Sequence, residues 1–261
     1  MAEIIALANQ KGGVGKTTTA INLAAGLACL GQDTLIVDLD PQANATSGLG
    51  IDKNTIEGGA YENLVEMVPA EKTIRATGIE LLDILCSSSD LVSAELALAG
   101  GVSRENRLRA SLKSIRDAYA FIIIDCPPSL GLLTLNALAA ADKVLVPIQG
   151  EYYALEGLTA FLQTVRICQE RLNPALGIEG AVLTMYDPRY TLAQQVRGEL
   201  AKYFGESLYA TAIPRSVRLA EAPSFGKTIF QYDPKSKGSE TYLALAGELL
   251  ARRGWRGMKL N

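Results

Sequence analysis

Histidine is absent from the 261 residues of this chain, and its absence removes two common kinds of site. A Ser-His-Asp triad cannot be assembled, and a metal site cannot draw on imidazole ligands. The four cysteines are widely scattered without a C-x-x-C pair, so neither a zinc site nor a dithiol motif is indicated. Chemistry must therefore come from carboxylates, lysines, backbone donors and a bound cation.

Long hydrophobic runs are missing as well. The longest apolar stretch, residues 130–141, is interrupted by Thr134 and Asn136 and is too short to cross a bilayer. The first apolar run begins so near the N-terminus that no signal peptide fits before it, and no low-complexity or Pro/Gly-rich linker divides the chain. These absences predict a soluble cytoplasmic protein with a single domain over residues 1–261 and a frayed tail at residues 254–261.

Charge is unevenly distributed along the chain. Residues 1–185 hold 13 Lys and Arg against 21 Asp and Glu, whereas residues 186–261 hold 12 against 7. The whole chain carries a formal net charge of −3, which does not by itself indicate a nucleic-acid binder. The basic final third is open to two interpretations, an ordinary solvated surface or a region that meets an anionic partner.

A glycine-rich segment at residues 9–19 has the pattern of a phosphate-binding loop. It lies between an apolar run at residues 4–8 and an alanine-rich helical segment at residues 20–30, which gives the order strand, glycine turn, helix start. Glycines allow successive backbone N–H groups to turn toward an anion, and the helix N-terminus adds donors and a favourable dipole. Lys16 is then placed to bind the β- and γ-phosphates, and the Thr17 hydroxyl to ligate Mg²⁺. A glycine turn before a capped helix is the weaker alternative, because G-K-T after a strand is a demanding match.

The loop departs from the standard G-x-x-x-x-G-K-[ST] pattern, because Gln10 stands at the first glycine position and Lys11 follows it. The resulting K-G-G-V-G-K-T-T is the deviant Walker A motif, and with it the sequence resembles the ParA/MinD group of P-loop ATPases. In that group the extra lysine reaches across a dimer interface to the nucleotide of the second subunit, a role that the resemblance assigns to Lys11. A solvated loop cation is the weaker alternative. The loop residues implied to hold ATP are Lys11, Gly12, Gly13, Val14, Gly15, Lys16, Thr17 and Thr18.

Carboxylates end two of the predicted strands. Asp38 and Asp40 follow a short β-branched run, and Asp125 closes a run of four apolar residues typical of a strand buried on both faces. Ligands bind at the carboxyl ends of strands in doubly wound sheets, and Asp125 there has the Walker B role of holding Mg²⁺. Asp40 can orient a water or hold the metal's water shell, or it can merely cap the next turn. The resemblance implies that Asp40 positions the hydrolytic water and that Thr17, Asp40 and Asp125 surround the metal.

Further segments resemble the Soj-type members of this group, and the resemblance covers nearly the whole chain. They are D-C-P-P-S from Asp125, E-Y-Y-A-L-E-G from Glu151 and P-R-S-V-R-L-A-E-A-P-S from Pro214. The resemblance implies that adenine is contacted at Thr184, Met185 and Pro214. The guanine-reading N-K-x-D motif is absent there, which favours ATP over GTP.

Two segments are predicted to respond to the nucleotide. Residues 43–59, rich in Asn, Thr, Ser and Gly, are predicted as a loop whose order depends on the nucleotide. The resemblance of D-C-P-P-S to Soj-type proteins implies a second switch after Asp125. Tyr152 and Tyr153 serve packing or, as the resemblance implies, a dimer-facing surface. An amphipathic helix is predicted over residues 103–118 and is assigned no chemistry.

The basic final third carries the residues expected to contact DNA. By resemblance to Soj-type proteins these are Arg189 and Arg218, with Lys227, Lys235 and Lys237 as weaker additions. A guanidinium donates in a fork that suits phosphate oxygens. Because no base-reading module is recognised, the contacts are expected to be to phosphates and independent of sequence.

The alternation of apolar runs and amphipathic segments predicts an α/β, doubly wound P-loop NTPase fold, with seven to eight mostly parallel strands and helices on both faces. The resemblance implies a DNA-partitioning switch. Mg²⁺ and ATP join two copies into a homodimer that binds double-stranded DNA non-specifically, and hydrolysis, stimulated by a ParB-type protein, releases it. The protein would then associate with the nucleoid in its ATP state.

Two other classes remain open from the sequence. A MinD-like membrane-positioning ATPase is suggested by the mixed basic and apolar tail, although Gly254 and Gly257 disfavour the amphipathic helix that it requires, so membrane contact is not expected. A redox relative of the nitrogenase iron protein would need a bridging cluster. Cys126 is the one tempting ligand, and a second suitably placed cysteine is missing.

Overall fold

Eight β-strands of the described residues form one sheet in the computed structural model, which describes residues 1–151 and 154–255, with only the backbone for 154–156. Tyr152, Tyr153 and the tail from residue 256 lie outside the described residues. The strands are β1 (Glu3–Leu7), β2 (Thr34–Asp38), β3 (Ile74–Ile79), β4 (Leu82–Leu85), β5 (Phe121–Asp125), β6 (Lys143–Gln149), β7 (Gly177–Tyr186) and β8 (Leu208–Pro214). Their order across the sheet is β3-β4-β2-β5-β1-β6-β7-β8.

Neighbouring strands of this sheet run parallel, apart from the antiparallel pair β3 and β4 at one edge. Every residue of β2 and β5 is buried, as expected for strands that are covered on both faces. The predicted doubly wound and mostly parallel α/β fold is confirmed.

The helices lie on both faces of the sheet and form two cores. Along β1, Ile4 and Ala6 pack in one core and Ile5 and Leu7 in the other, because successive side chains of a strand point to opposite faces. The α-helices of the described residues are α1 (Lys16–Cys29), α2 (Asn44–Gly48), α3 (Leu91–Ala97), α4 (Arg107–Leu112), α5 (Leu132–Ala140), α6 (Ala154–Arg171), α7 (Thr191–Phe204), α8 (Val217–Glu221), α9 (Ile229–Tyr232) and α10 (Lys237–Ala251). Helices α5 and α6 contribute to the first core, and α1 and α10 to the second.

The predicted loop at residues 43–59 is partly helical, which corrects the expectation. It contains α2 and a 3-10 turn at Lys53–Thr55. Its polar residues bond to nearby backbone instead of leaving it free, since the Ser47 hydroxyl donates to the Ala43 carbonyl at 2.9 Å. Composition alone does not distinguish a polar loop from a short helix whose side chains form hydrogen bonds with its own backbone.

Two other predictions also differ from the structure. The helix expected over residues 103–118 is limited to a 3-10 turn at Arg104–Asn106 and to α4, although Leu108, Leu112 and Ile115 are buried as their spacing predicts. Strand β3 was not predicted, because an edge strand of half-exposed residues lacks a continuous apolar signal.

Gly254 and Trp255 are the last described residues of the predicted frayed tail, and Trp255 packs against the core formed with α1 and α10. The rest of that prediction concerns residues 256–261, which lie outside the described residues. Among the described residues, no helix combines the length and the apolar character that crossing a membrane requires.

Candidate nucleotide site and basic surface

The predicted phosphate loop connects the carboxyl end of β1 to the start of α1. Gly13 and Gly15 adopt left-handed backbone angles, with φ of 74° and 82°, which glycine accepts without strain. Asn9 fixes the base of the loop, since its Nδ2 donates to the Pro147 carbonyl at 2.8 Å and its Oδ1 accepts from the Lys11 N–H at 3.0 Å. The loop is therefore tied to β6 as well as to β1.

Lys16 lies beneath this loop with 6% of its surface exposed. Its Nζ donates to the Lys11 carbonyl at 3.0 Å. Burial lowers the pKa of Lys16, and the negative charges of Asp125 and Asp40 oppose that shift. A buried ammonium under a glycine loop is suited to neutralise a phosphate group.

Asp125 ends β5 beside the loop and fits a hydrated metal ion. Both carboxylate oxygens are buried, and neither has a hydrogen-bond partner within the described parts of the chain. Burial raises the pKa of Asp125 well above its ordinary value and the charge of Asp38 adds to the rise, whereas the charge of Lys16 lowers it. A buried carboxylate without a partner is costly unless something else satisfies it. A cation bound near Thr17 and Asp125 would do so.

The small number of acidic side chains at this site also suits Mg²⁺, whose remaining ligands would be phosphate oxygens and waters. The structure contains no group of three or more Asp, Glu, Cys or His side chains able to hold a metal by themselves, within residues 1–151 and 154–255. Mg²⁺ commonly uses one or two carboxylates together with nucleotide phosphates and waters.

Two more carboxylates lie at the end of β2. Asp38 is paired in register with Asp125 on the adjacent strand, and burial raises the pKa of Asp38 to about 6, while hydrogen bonds from Thr46 and Asp40 oppose the rise. Asp40 is 8% exposed, and its Oδ1 accepts from the Gln42 N–H at 3.0 Å. The structure thus brings Lys16, Asp40 and Asp125 together at one edge, as the sequence predicts.

A cavity of about 260 Å³ opens beside the loop, at the ends of β7 and β8. The predicted adenine contacts Thr184, Met185 and Pro214 all line it, together with Gly15 and Thr18 of the loop. The Thr184 hydroxyl donates to the Val14 carbonyl at 2.8 Å, so Thr184 also anchors the loop. The cavity is adjacent to the predicted phosphate site, as a nucleoside attached to those phosphates requires.

Some residues of this cavity were not assigned from the sequence. They are Ile213, Arg215, Ser216, Leu219, Ala220 and Tyr242. Arg215 belongs to a segment that resembles Soj-type proteins and could have been found there. Tyr242 lies on the buried stripe of the last helix, and only the packing of α10 on α1 shows that its hydroxyl meets Thr19, at 3.2 Å.

Lys11 pairs with a carboxylate outside its own loop. Its Nζ lies 2.9 Å from Glu151 Oε2, beyond the end of β6, with about a third of the side chain exposed. The other Glu151 oxygen accepts from Gln149 Nε2 at 2.6 Å. Within one chain, the extra lysine of the motif is therefore held by a carboxylate and does not serve the same phosphate position as Lys16.

The arginines expected to bind DNA are exposed, but both are engaged in ion pairs. Arg189 binds both oxygens of Asp187, with the shortest contact at 2.6 Å, and the side chain of Arg189 is 84% exposed. Arg218 lies 3.2 Å from Glu221 and 3.5 Å from Asp233. Both arginines follow adjacent strand ends, because Tyr186 of β7 is in register with Pro214 of β8.

The three lysines are exposed and differ in their pairing. Lys237 is paired with Glu240 at 2.9 Å. No ion pair of Lys227 or Lys235 is found within the described residues. Three of the five predicted DNA contacts, Arg189, Arg218 and Lys237, are therefore paired with acids in the single chain.

The glycine loop, its buried lysine and the carboxylates at the ends of β2 and β5 define a P-loop ATPase with a second, outward-facing lysine. The AAA domain family matches residues 2–178. The chain is 54% identical over 251 residues to the sporulation initiation inhibitor protein Soj of Bacillus subtilis. The match covers 96% of this chain and 99% of that protein. It is 52% identical over 252 residues to the chromosome partitioning protein ParA of Myxococcus xanthus, over 97% of this chain and 89% of that protein. This chain belongs to the ParA/Soj family of partitioning ATPases, as its motifs indicate.

Solved structures agree with this assignment of the fold. Cobyrinic acid a,c-diamide synthase from Mycobacterium smegmatis, with a bound ATP analog and magnesium, superposes with a TM-score of 0.85 at 35% identity, and the match covers 100% of both chains.

Proposed function

We propose that this protein is an ATP-dependent DNA-partitioning switch. Mg²⁺ and ATP bind at the phosphate loop and join two copies face to face, and the homodimer holds double-stranded DNA without sequence preference. Slow hydrolysis, stimulated by a ParB-type protein, separates the copies and releases the DNA. The names of the Soj and ParA relatives support the partitioning role, and the ATP analog and magnesium of the similar synthase support the nucleotide.

The observation that carries this proposal is the different direction of the two loop lysines. Lys16 is buried under the loop, whereas Lys11 extends to an exposed carboxylate at the rim. A second cation that does not serve its own phosphate site is available to the nucleotide of another copy. Two copies placed face to face would then complete each other's sites.

The basic surface is joined to the nucleotide cavity through the chain. Met185 and Pro214 line the cavity, and the segments that carry Arg189 and Arg218 begin directly after them. In the single chain these arginines are paired with carboxylates, and DNA phosphates must displace those carboxylates. A dimer presents twice as many cations on one connected surface. Because the second set of contacts then forms within an existing complex, the affinity of the two copies is multiplied.

Co-sedimentation of the full chain tests the proposal. The chain is mixed with non-specific DNA or with anionic phospholipid vesicles, each with and without a slowly hydrolysed ATP analogue. We expect retention on DNA with the analogue, a steep loss of retention as salt rises, and no retention on vesicles. Analogue-dependent binding to vesicles without binding to DNA would refute the proposal and favour a membrane-positioning ATPase.

A further inference from the structure

Four buried residues form a closed ring of hydrogen bonds behind the nucleotide site. The Asp40 N–H donates to Asp38 Oδ1 at 3.1 Å, and the Thr46 hydroxyl donates to Asp38 Oδ2 at 2.8 Å. The Thr46 hydroxyl in turn accepts from the Ser87 N–H at 3.0 Å, and the Ser87 hydroxyl donates to the Asp40 carbonyl at 2.7 Å. Asp38, Thr46 and Ser87 are 0% exposed.

The ring holds the main chain of Asp40 on both sides and leaves its carboxylate outside. The Asp40 N–H and the Asp40 carbonyl are both ring members, and the carbonyl also accepts from the Ala43 N–H at 2.8 Å. The carboxylate makes a separate contact, to the Gln42 N–H. The direction of the carboxylate therefore depends on a backbone that side chains from two other segments fix.

Those two segments come from different parts of the fold. Thr46 belongs to α2, directly after the end of β2, and its own N–H also donates to Asp38 Oδ2 at 2.9 Å. Ser87 follows β4, the neighbour of β2 in the sheet. The Thr46 hydroxyl connects α2 to the segment after β4, because it donates to Asp38 and accepts from the Ser87 N–H.

We propose that Thr46 and Ser87 are positioning residues of ATP hydrolysis, which act by holding the Asp40 carboxylate in its direction toward the nucleotide site. This inference rests on the proposed role of Asp40 in orienting the hydrolytic water. A displacement of about 1 Å at a reacting group can cost roughly 10²-fold in rate. Loss of the ring is expected to lower turnover while ATP binding, which depends on the phosphate loop, remains.

The experiment compares variants of the full chain in steady-state ATP hydrolysis with saturating non-specific DNA. Thr46→Val removes the hydroxyl and keeps the shape, whereas Thr46→Ser keeps the hydroxyl. We expect kcat of Thr46→Val to fall by about tenfold or more, with KM for ATP changed by less than about threefold. Thr46→Ser should restore most of kcat. Ser87→Ala should lower kcat as Thr46→Val does, and it tests the inference on its own if Thr46→Val does not fold.

Thr73→Val is the matched control. Thr73 is 4% exposed, and its hydroxyl donates to Asn63 Oδ1 at 3.1 Å, so the substitution removes a similarly buried hydrogen bond away from the nucleotide site. Thr73→Val is expected to lower the melting temperature and to leave kcat unchanged. Normal kcat in Thr46→Val, or an equal loss in Thr46→Ser, would overturn the inference.

Asp40→Ala in the same assay separates this inference from the proposed function. Turnover retained by Asp40→Ala would refute the role of Asp40 and the positioning role with it. Turnover lost in Asp40→Ala but normal in both Thr46→Val and Ser87→Ala would refute the positioning role alone.

Discussion

The ion pair between Lys11 and Glu151 is weak enough to be exchanged. Both side chains are partly exposed, at 33% and 50%, and pairs of this kind contribute about 0 to 1 kcal/mol. In the proposed dimer, the phosphate oxygens of the second copy's nucleotide would carry more charge than Glu151 and would lie in a less hydrated environment. The pair therefore holds Lys11 at the rim of the single chain without preventing it from leaving.

At Asp40, the proposed role separates binding from chemistry. Asp40→Ala is expected to bind ATP and to form the dimer, but to hydrolyse ATP about 10² to 10⁴ times more slowly, the usual contribution of a group that handles the attacking water's proton. The variant should stay on DNA after the wild type has been released. Single-turnover hydrolysis and a DNA-retention assay measure both effects, and Asp52→Ala, at an exposed carboxylate after α2, is the control. Rapid turnover by Asp40→Ala would remove the assignment.

At Arg189, reversal of charge is expected to weaken DNA binding and to leave ATP chemistry intact. Arg189→Glu loses a phosphate contact and places a second acid beside Asp187, whose pKa the arginine now lowers to about 2. Asp187→Asn should have the opposite effect, because it frees the guanidinium for phosphate. The measurement is DNA affinity against salt, where each lost contact reduces the slope by about 1. Arg109→Glu, at an exposed arginine of α4, is the control. Equal DNA retention in Arg189→Glu and Arg109→Glu would exclude Arg189 from the surface.

At the scale of elements, a network of ion pairs and hydrogen bonds around Glu179 ties the amino ends of four strands to the end of the last helix. Arg253, after α10, binds Glu3 of β1 and Glu179 of β7, and Lys143 of β6 lies 3.1 Å from Glu179. Tyr209 of β8 donates to Glu179 at 2.6 Å. Glu179 has only 3% of its side chain exposed, so this network fixes the edge of the sheet opposite the nucleotide site.

Removal of the Glu179 charge should destabilise the protein in a pH-dependent way. Burial alone would raise the pKa of Glu179, but hydrogen bonds from Arg253 and Tyr209 outweigh it and lower the pKa below the ordinary value of 4.5. Its contribution is therefore complete above about pH 4.5 and is lost as the pH falls through the lowered pKa. Glu179→Gln should cost about 2 to 3 kcal/mol at pH 7, and the difference from the wild type should shrink in strong acid.

Urea unfolding at several pH values measures this difference. Glu199→Gln breaks an exposed pair with Lys202 and should change the unfolding free energy by less than about 0.5 kcal/mol. A difference for Glu179→Gln that did not depend on pH would contradict the electrostatic explanation.

The sequence predicted those parts of the site that rest on local pattern. The glycine loop, Lys16 and the strand ending at Asp125 are contiguous signals, and each lies where it was expected. The ring through Thr46 and Ser87 was not foreseen, because 41 residues separate the two and no local pattern records that β4 lies beside β2. Strand β3 was missed for a related reason, since an edge strand is defined by its neighbour more than by its own residues.

The basic surface shows the same limit. Sequence supplies the identity of Arg218 and its neighbour Glu221, three residues away on α8, but not the second partner, Asp233. Asp233 is 15 residues away and is brought to Arg218 by the packing of α8 against α9.

For the whole molecule, Gly12 offers a direct test of the face-to-face dimer. A Cβ at Gly12 would have the Pro128 side chain as its nearest atom, at an ordinary 3.9 Å, and Gly12 lacks the left-handed angles of Gly13 and Gly15. Gly12→Val should therefore fold and bind ATP as a monomer, yet crowd a second copy that approaches the loop. Size-exclusion chromatography with a slowly hydrolysed analogue measures the outcome. Gly198→Val, on the exposed surface of α7, is the control. A normal analogue-dependent dimer in Gly12→Val would count against the face-to-face arrangement.

The charged network at Glu179 also gives the molecule a fixed base. Strands β1, β6, β7 and β8 are clamped at one end, while the phosphate loop, the cavity and the arginine segments all stand at the other. Sliding of these strands past one another would separate the charges paired with the buried Glu179. In the proposed switch, a change at the nucleotide would therefore move the loops at the opposite edge of the sheet, where the arginine segments lie, and leave this edge in place.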